Sequence, residues 1–447
     1  MEKKVYFVSL GCDKNLVDSE VMLGLLKAHG YVMTNDAEEA EVIVINTCGF
    51  IRDAQDESVE TLLEMAEYKK AGSCQVLVAA GCLAQRYQQD ILDEIPQIDA
   101  VIGTSSYDDI CQVIDDAMAG KRQSHMKDLA LLPESRVPRV TSIGSYSSYL
   151  KIAEGCSKHC TYCIIPSLRG PYRSFRMDYL LEQARYLAAQ GTKELNIVAQ
   201  ETTVYGMDLE GRKMLPELLD ALCEIEGIEW IRLLYCYPEE IDDALIDVIR
   251  RQPKICHYLD MPIQHCNDRL LRLMGRRTNK AELVHIIKKL REAIPDIALR
   301  TTLIAGFPGE TDEEHEEMAA FVREMRFDRL GVFEYSREDG TPAGAMEDQV
   351  ADAVKAARAR RLMELQQEVV FKCNETMIGR SLPVMIDGYL PEEDIYVGRT
   401  YRDTQEIDGS VYVYALGEHM SGDVIDVRIS EADFYDLIGD EIDEFTE

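Results

Sequence analysis

Ten residues, EGCSKHCTYC (154–163), carry three cysteines, Cys156, Cys160 and Cys163, in the spacing C-x3-C-x2-C. Thiolates are soft ligands suited to iron–sulfur clusters and to zinc. The residues between them, SKH and TY, are too polar for a core segment. A structural zinc takes four protein ligands and a disulfide takes two, so three thiolates leave a vacancy. In a four-iron cluster, three cysteines leave one iron open to a small molecule, much as a catalytic metal site keeps one position free. The competing chemistry is a Cys3His zinc site completed by His159, inside the motif, or by another residue.

A second set is more dispersed. Cys12, Cys48 and Cys82 end the apolar segments SLGC, NTCG and AAGC and are separated by 36 and 34 residues. Parallel strands bring their C-terminal ends to one edge of a sheet, where doubly wound folds bind ligands. Singly, each cysteine suits a buried packing position. Together, each beside a glycine, they point to a convergent ligand set. Cys74, Cys111, Cys223, Cys236, Cys256, Cys266 and Cys373 show no ligand spacing and are expected to pack in cores.

Three α/β or β units must position these residues. Over 1–125, VYFVSL, VIVINTC and VLVAAGC alternate with amphipathic stretches, which predicts an open parallel α/β sheet. Residues 126–149, Pro- and Ser-rich over PESRVPRVTSIGSYSSY (133–149), predict a linker. Over 150–372, YLKIAEG, ELNIVAQ, WIRLLYCY, YLDMPIQ, RTTLIAG and LGVFEYS repeat the rhythm six times. That predicts a complete or partial parallel α/β barrel, with chemistry at the C-terminal strand ends. From 374 to about 440, LPVMID, IYVGRT, VYVYAL and VIDVRIS predict a small all-β barrel.

Charge and composition narrow the class. The 447 residues are 46% hydrophobic and 29% charged, as in ordinary globular proteins. No apolar run reaches the ~18 residues of a membrane span, and MEKKVYFVSLGC lacks a signal-peptide core. A cytoplasmic location without membrane partners is expected, and there thiols stay reduced. The net charge is −33, and residues 374–447 contribute −15 through 19 acidic and four basic side chains. Such a surface repels nucleic acid and favours basic partners, although solubility alone also accounts for acidity.

With an aromatic residue, Tyr162, before its last cysteine and a barrel-like unit around it, C-x3-C-x2-C resembles the radical S-adenosylmethionine (SAM) enzymes. That resemblance implies that Cys156, Cys160 and Cys163 hold a [4Fe-4S] cluster whose open iron binds SAM. Electron transfer from that cluster then yields a 5′-deoxyadenosyl radical. SLGCDKNLVDSE (9–20), NTCGFI (46–51) and GCLAQRY (81–87) look like the N-terminal domain of methylthiotransferases. By resemblance, Cys12, Cys48 and Cys82 hold a second [4Fe-4S] cluster, and the closing β unit corresponds to a TRAM domain. GFPGE (306–310) resembles a SAM-contacting motif, which nominates Gly306 and Gly309; a plain Gly-Pro turn explains it equally well. AQETT (199–203) could offer polar groups to the cofactor, and His265 is expected to be structural.

Within the family, NTCGFIRDAQDES, IPSLRGPYRS, LLYCYPEEI and VFEYSREDGT look like the RimO branch, whereas the RNA-modifying branch has YGCQMN where this chain has SLGCDKN. The resemblance implies methylthiolation of an aspartate β-carbon in small-subunit ribosomal protein S-twelve. It implies one SAM as methyl donor, another as radical source, and an electron donor such as flavodoxin or ferredoxin. The basic ribosomal protein or the small ribosomal subunit is the expected partner. An acidic TRAM-like module suits such a substrate and disfavours direct nucleic-acid binding. The alternatives are a tRNA adenosine methylthiotransferase and a zinc-stabilised protein-binding module.

Overall fold

The computed structural model describes residues 3–133, 139–141 and 146–442. Six strands build the first sheet: β1 (Lys4–Ser9), β2 (Val32–Met33), β3 (Val42–Thr47), β4 (Val76–Ala80), β5 (Ala100–Ile102) and β6 (Gln123–His125). All run parallel in the order β2-β1-β3-β4-β5-β6. The central strands, VIVINT and VLVAA, are buried throughout because helices cover both faces. Alternation along β3 divides the core: Val42 and Val44 pack on one face, Ile43 and Ile45 on the other. Register sets the functional edge. Ser9, Asn46 and Ala80 lie level across β1, β3 and β4.

The second sheet contains β7 (Ser147–Lys151), β10 (Glu194–Val198), β11 (Trp230–Leu233), β12 (Ile255–Asp260), β13 (Ala298–Ala305) and β14 (Arg329–Glu334). These six are parallel, adjacent in chain order and do not close, so the barrel is partial. A short antiparallel ribbon, β8 (Ala153–Glu154) with β9 (Arg173–Ser174), follows β7. Helices such as Met177–Ala189, Lys280–Ala293 and Asp312–Met325 alternate with the strands and bury one continuous aliphatic core. Strand β7 begins at Ser147, inside the span 126–149 expected as linker. Its serines are not loop residues: Ser147 donates to Glu194 at 2.9 Å, and Ser148 lies 3.0 Å from the Thr192 hydroxyl. Residues 134–138 and 142–145 of that expected linker lie outside the described residues.

Helix Asp352–Glu375 leads to a closed barrel of β15 (Ser381–Leu390), β16 (Ile395–Thr400), β17 (Val411–Tyr414), β18 (Val424–Ala432) and β19 (Leu437–Glu441). Its order is β15-β16-β17-β19-β18, with only the β17–β19 pair parallel. This barrel packs on the first residues of the partial-barrel strands. Arg399 pairs with Glu194 at 2.6 Å and Arg402 with Asp328 at 2.7 Å, while Arg329 pairs with Asp403. The cysteine sets lie at the other end.

Candidate two-centre cysteine site

The first triad follows directly from strand register. Cys12 caps helix Asp13–Ala28, Cys48 follows β3, and Cys82 is the second residue of helix Gly81–Glu94. Their turns touch. A Cβ at Gly11 would lie 3.0 Å from Cys48 Sγ, and one at Gly49 would lie 2.9 Å from the Cys82 backbone. Residues of the surrounding motifs tie the turns together. Asn46 donates to the Asn15 carbonyl and to Ser19 Oγ, both at 2.8 Å, and Thr47 donates to the Ala80 carbonyl at 2.5 Å. Cys48 and Cys82 are buried while Cys12 is exposed, so one side of the triad opens to solvent. Burial pushes the Cys48 thiol up to about 12, and the neighbouring Cys82 and Cys12 add to the rise. Burial also raises Cys82, against the pull of Arg169, whose Nε–H donates to Cys82 Sγ at 3.4 Å.

The second triad lies beyond β8. Gly155, at φ +76°, turns the chain so closely that a Cβ there would stand 2.2 Å from the Pro171 carbonyl oxygen. Cys156 and Cys160 are buried and Cys163 is partly so. Cys156 N–H donates to the Gly170 carbonyl at 3.1 Å, and Thr161 N–H to the Met274 carbonyl at 2.9 Å. Tyr162 packs against an apolar cluster containing Met274, Ile304, Phe307 and Tyr335. Burial pushes Cys156 up to about 11 and Cys163 up to about 12. Ligation requires thiolates, so a bound cluster must displace these protons and replace the lost hydration.

One segment reaches both triads. Beyond β11, the Tyr237 hydroxyl lies 3.7 Å from Cys160 Sγ. Two residues earlier, the Tyr235 hydroxyl donates to Asp13, beside Cys12, at 3.2 Å, and the Lys14 ammonium sits over the Tyr235 ring. Tyr235 takes φ +60°, a strained conformation for a bulky residue. The guanidinium of Arg276 stacks 4.2 Å from the Tyr237 ring centroid.

Charged groups cluster around the second triad. Lys158, inside the motif, lies 2.5 Å from Glu240 and 3.5 Å from Glu201. Glu201 belongs to AQETT; one oxygen accepts from Thr203, while Oε2 is buried without a hydrogen-bond partner. Burial pushes its carboxyl up to about 7. A second network joins the first sheet to the partial barrel. Lys151 pairs with Asp18 and, at 2.7 Å, with Glu154; Arg169 reaches Asp18 at 2.8 Å and Glu154 at 3.0 Å. Against the cost of burial, Arg169 and Lys151 hold the Glu154 carboxyl below its usual range.

Gly306 and Gly309 form the turn after β13. The Glu310 carboxylate accepts from Gly306 N–H at 2.5 Å, and a Cβ at Gly306 would lie 2.4 Å from Lys355 Cγ. That packing accounts for Gly306 without a ligand. His265 is fully buried, and its Nδ1 accepts from the backbone N–H of Cys266 and Asn267, each at 2.9 Å. Burial lowers it to about 4, which keeps the imidazole neutral, and its buried Nε2 has no hydrogen-bond partner among the described residues, so the ring is not the fully satisfied one expected. Sequence reasoning assigned no role to Arg169, Lys151, Glu154, Asp18, Tyr235, Tyr237 or Arg276. Asp18, Lys151, Glu154, Arg169, Tyr235 and Tyr237 fell inside stretches quoted for other reasons, SLGCDKNLVDSE, YLKIAEG, EGCSKHCTYC, IPSLRGPYRS and LLYCYPEEI, and Arg276 fell in none.

The donor set fits iron–sulfur clusters better than zinc. Among the described residues, no three His, Cys, Asp or Glu side chains are gathered closely enough to share one metal ion. A [4Fe-4S] cube makes no such demand, because each thiolate binds a different iron. His159 is exposed, at φ +53°, and joins no such group. Glu201 Oε2, beside the second triad, meets the Lys158 ammonium at 3.5 Å but makes no hydrogen bond among the described residues, and a bound small molecule with an amino group would supply one.

This combination defines a radical SAM enzyme with a second cysteine centre. Three family models match in succession: Uncharacterized protein family UPF0004 over residues 4–103, the Radical SAM superfamily over 150–322, and the TRAM domain over 378–442. The chain is 60% identical to the ribosomal protein uS12 methylthiotransferase RimO of Lachnoclostridium phytofermentans, covering 98% of this chain and 99% of that protein. It is 48% identical to the protein of the same name from Acetivibrio thermocellus, covering 99% of each. The chain belongs to the RimO methylthiotransferase family. Among solved structures, the radical SAM methyltransferase TsrM from Kitasatospora setae superposes with a TM-score of 0.56, at 14% identity over 77% of each chain. At that identity the likeness is one of fold.

Proposed function

We propose that this enzyme transfers a methylthio group to the β-carbon of an aspartate in ribosomal protein uS12. The observation that carries the reading is the pair of cysteine triads reached by one segment, Tyr235–Cys236–Tyr237. Cys12, Cys48 and Cys82 would hold one [4Fe-4S] cluster, and Cys156, Cys160 and Cys163 the other. When bound, the clusters and SAM supply the electron, the methyl group and the power to abstract hydrogen from an unactivated carbon. The chain itself positions. Glu201 offers a ligand amine a buried carboxylate oxygen that makes no hydrogen bond among the described residues, with the Lys158 ammonium 3.5 Å from that same oxygen. Tyr237 reaches Cys160 and Tyr235 reaches Asp13 beside Cys12, so one segment helps to fix where the two triads stand. We assign residues 1–125 to the N-terminal cysteine domain, 150–372 to the radical core and 374–440 to the TRAM-like barrel. The reaction needs a low-potential donor such as flavodoxin or ferredoxin, and we place the enzyme in the cytoplasm.

The decisive experiment is mass spectrometry of uS12 from a strain lacking this gene, complemented with variants. Wild type should restore the methylthio mass, and Cys160→Ala and Cys48→Ala should not. With purified protein, Cys160→Ala should lose SAM cleavage, whereas Cys48→Ala should retain it with about half the iron. Unmodified uS12 in the wild-type complement, with methylthioadenosine restored in tRNA, would transfer the assignment to the RNA-modifying branch.

A further inference from the structure

Arg169 ends the short helix Ile165–Arg169, and its side chain is 1% exposed. A buried guanidinium needs most of its five N–H groups satisfied, and here they converge from both halves of the site. Nε–H donates to Cys82 Sγ at 3.4 Å, Nη1 to Asp18 at 2.8 Å and Glu154 at 3.0 Å, and Nη2 to Asn15 Oδ1 at 3.0 Å. Asn15, Asp18 and Cys82 lie on helices of the first α/β unit; Glu154 lies in the β8–β9 ribbon of the second unit and Arg169 in the helix between its two strands. Glu154 stands two residues before Cys156 and also accepts from Gln200, the neighbour of Glu201, at 3.1 Å. One planar fork therefore spans the seam between the triads.

Charge balance shows what the fork does at Cys82. Lys151 and Arg169 are offset by Asp18 and Glu154, so the buried quartet is neutral without the cysteine. A thiolate at Cys82 adds a negative charge against an N–H already pointed at its sulfur. Reducing a cluster adds another. A charge-assisted donor to a ligand sulfur stabilises the more negative state, and hydrogen bonds to sulfur are among the factors that set cluster potentials.

We propose that Arg169 is a positioning residue that locks the Cys82 side of the first triad to the partial barrel and raises the reduction potential of the cluster held there. The proposal rests on the reading of Cys12, Cys48 and Cys82 as cluster ligands. Lysine cannot replace it fully: a compact ammonium lacks the planar fork through which Arg169 reaches Cys82, Asp18, Glu154 and Asn15.

The test uses the full chain carrying Cys156→Ala, Cys160→Ala and Cys163→Ala, so that iron and its paramagnetic signal report the first triad alone. Reductive titration followed by electron paramagnetic resonance gives the midpoint in this parent, in Arg169→Lys and in Arg169→Gln. The expected result is a more negative midpoint in Arg169→Gln, with Arg169→Lys between it and the parent. An Arg169→Gln midpoint equal to the parent's, at equal iron content, overturns the proposal. If Arg169→Gln holds no iron, Arg169→Lys carries the test, and a midpoint equal to the parent's overturns it. A parent that binds no iron overturns the cluster reading itself, an outcome separate from either of these.

Discussion

At the scale of single residues, Glu201 makes the molecule's stability depend on pH. Its folded-state carboxyl is pushed up from 4.5 to about 7, first by burial and then by Glu240 and Glu239, against the pull of Lys158 and Thr203. Between pH 4.5 and 7 the folded protein therefore holds a proton that the unfolded chain has released. Stability contributed by this group falls as pH rises through that window, and the full cost is present above pH 7. Glu201→Gln removes the titrating group. The cluster-free variant should gain about 1–3 kcal/mol relative to wild type at pH 8 compared with pH 5. Thermal melts of both proteins in the two buffers check this, and an equal difference at both pH values would sink it. The cysteines were legible because ligand spacing is local, or is repeated at each strand end. Arg169 and its partners were not. Asp18 and Arg169 lie 151 residues apart, and nothing in the chain order pairs one charged residue of a motif with another that far away.

Elements explain why the triads exist as triads. Parallel register levels Ser9, Asn46 and Ala80, so three short exits deliver three cysteines to one edge. The second triad depends instead on a turn. Gly155 combines positive φ with a Cβ position 2.2 Å from the Pro171 oxygen, an immobile backbone atom. Gly155→Ala should cost about 2–4 kcal/mol, strain and overpacking together, and should displace Cys156. A lower denaturation midpoint with about half the iron per chain is expected, the first triad remaining loaded. Wild-type midpoint and iron content would show that the turn tolerates a side chain. Strand existence was legible from apolar runs: all six barrel segments became strands, and four of the five strands of the closing barrel were foreseen. The fifth, β19, LIGDE, escaped notice. It has two acidic residues and a glycine in five positions, and it is held as a strand by pairing with both β17 and β18 rather than by its own propensity.

Across the whole molecule, charge is arranged by end. The closing barrel contributes −15 from residues 374–447, and two of its four basic residues, Arg399 and Arg402, are buried in ion pairs with the partial barrel. Two of its acidic residues, Asp403 and Asp408, are buried in the converse pairs with Arg329 and Arg300, so its exposed surface keeps the acidic excess. Glu392, Glu393 and Asp394 lie exposed in the β15–β16 turn. They sit on a module that packs against the first residues of the barrel strands, away from both triads. A surface so placed cannot act on the chemistry directly; it can act on the encounter with a basic substrate, through a field that salt screens over ~8–10 Å. Reversing Glu392, Glu393 and Asp394 to Lys should slow uS12 modification at low salt and flatten its decline as salt rises, because steering acts on association. SAM cleavage without substrate should stay at the wild-type rate, since the turn contacts neither triad. Neutralising acidic residues more widely across the barrel surface should deepen both effects. Modification rates measured across a salt series for wild type and both variants decide the matter. If the widely neutralised enzyme matched wild type in rate and in salt dependence, recruitment by this surface would be excluded, and the acidity would serve solubility alone.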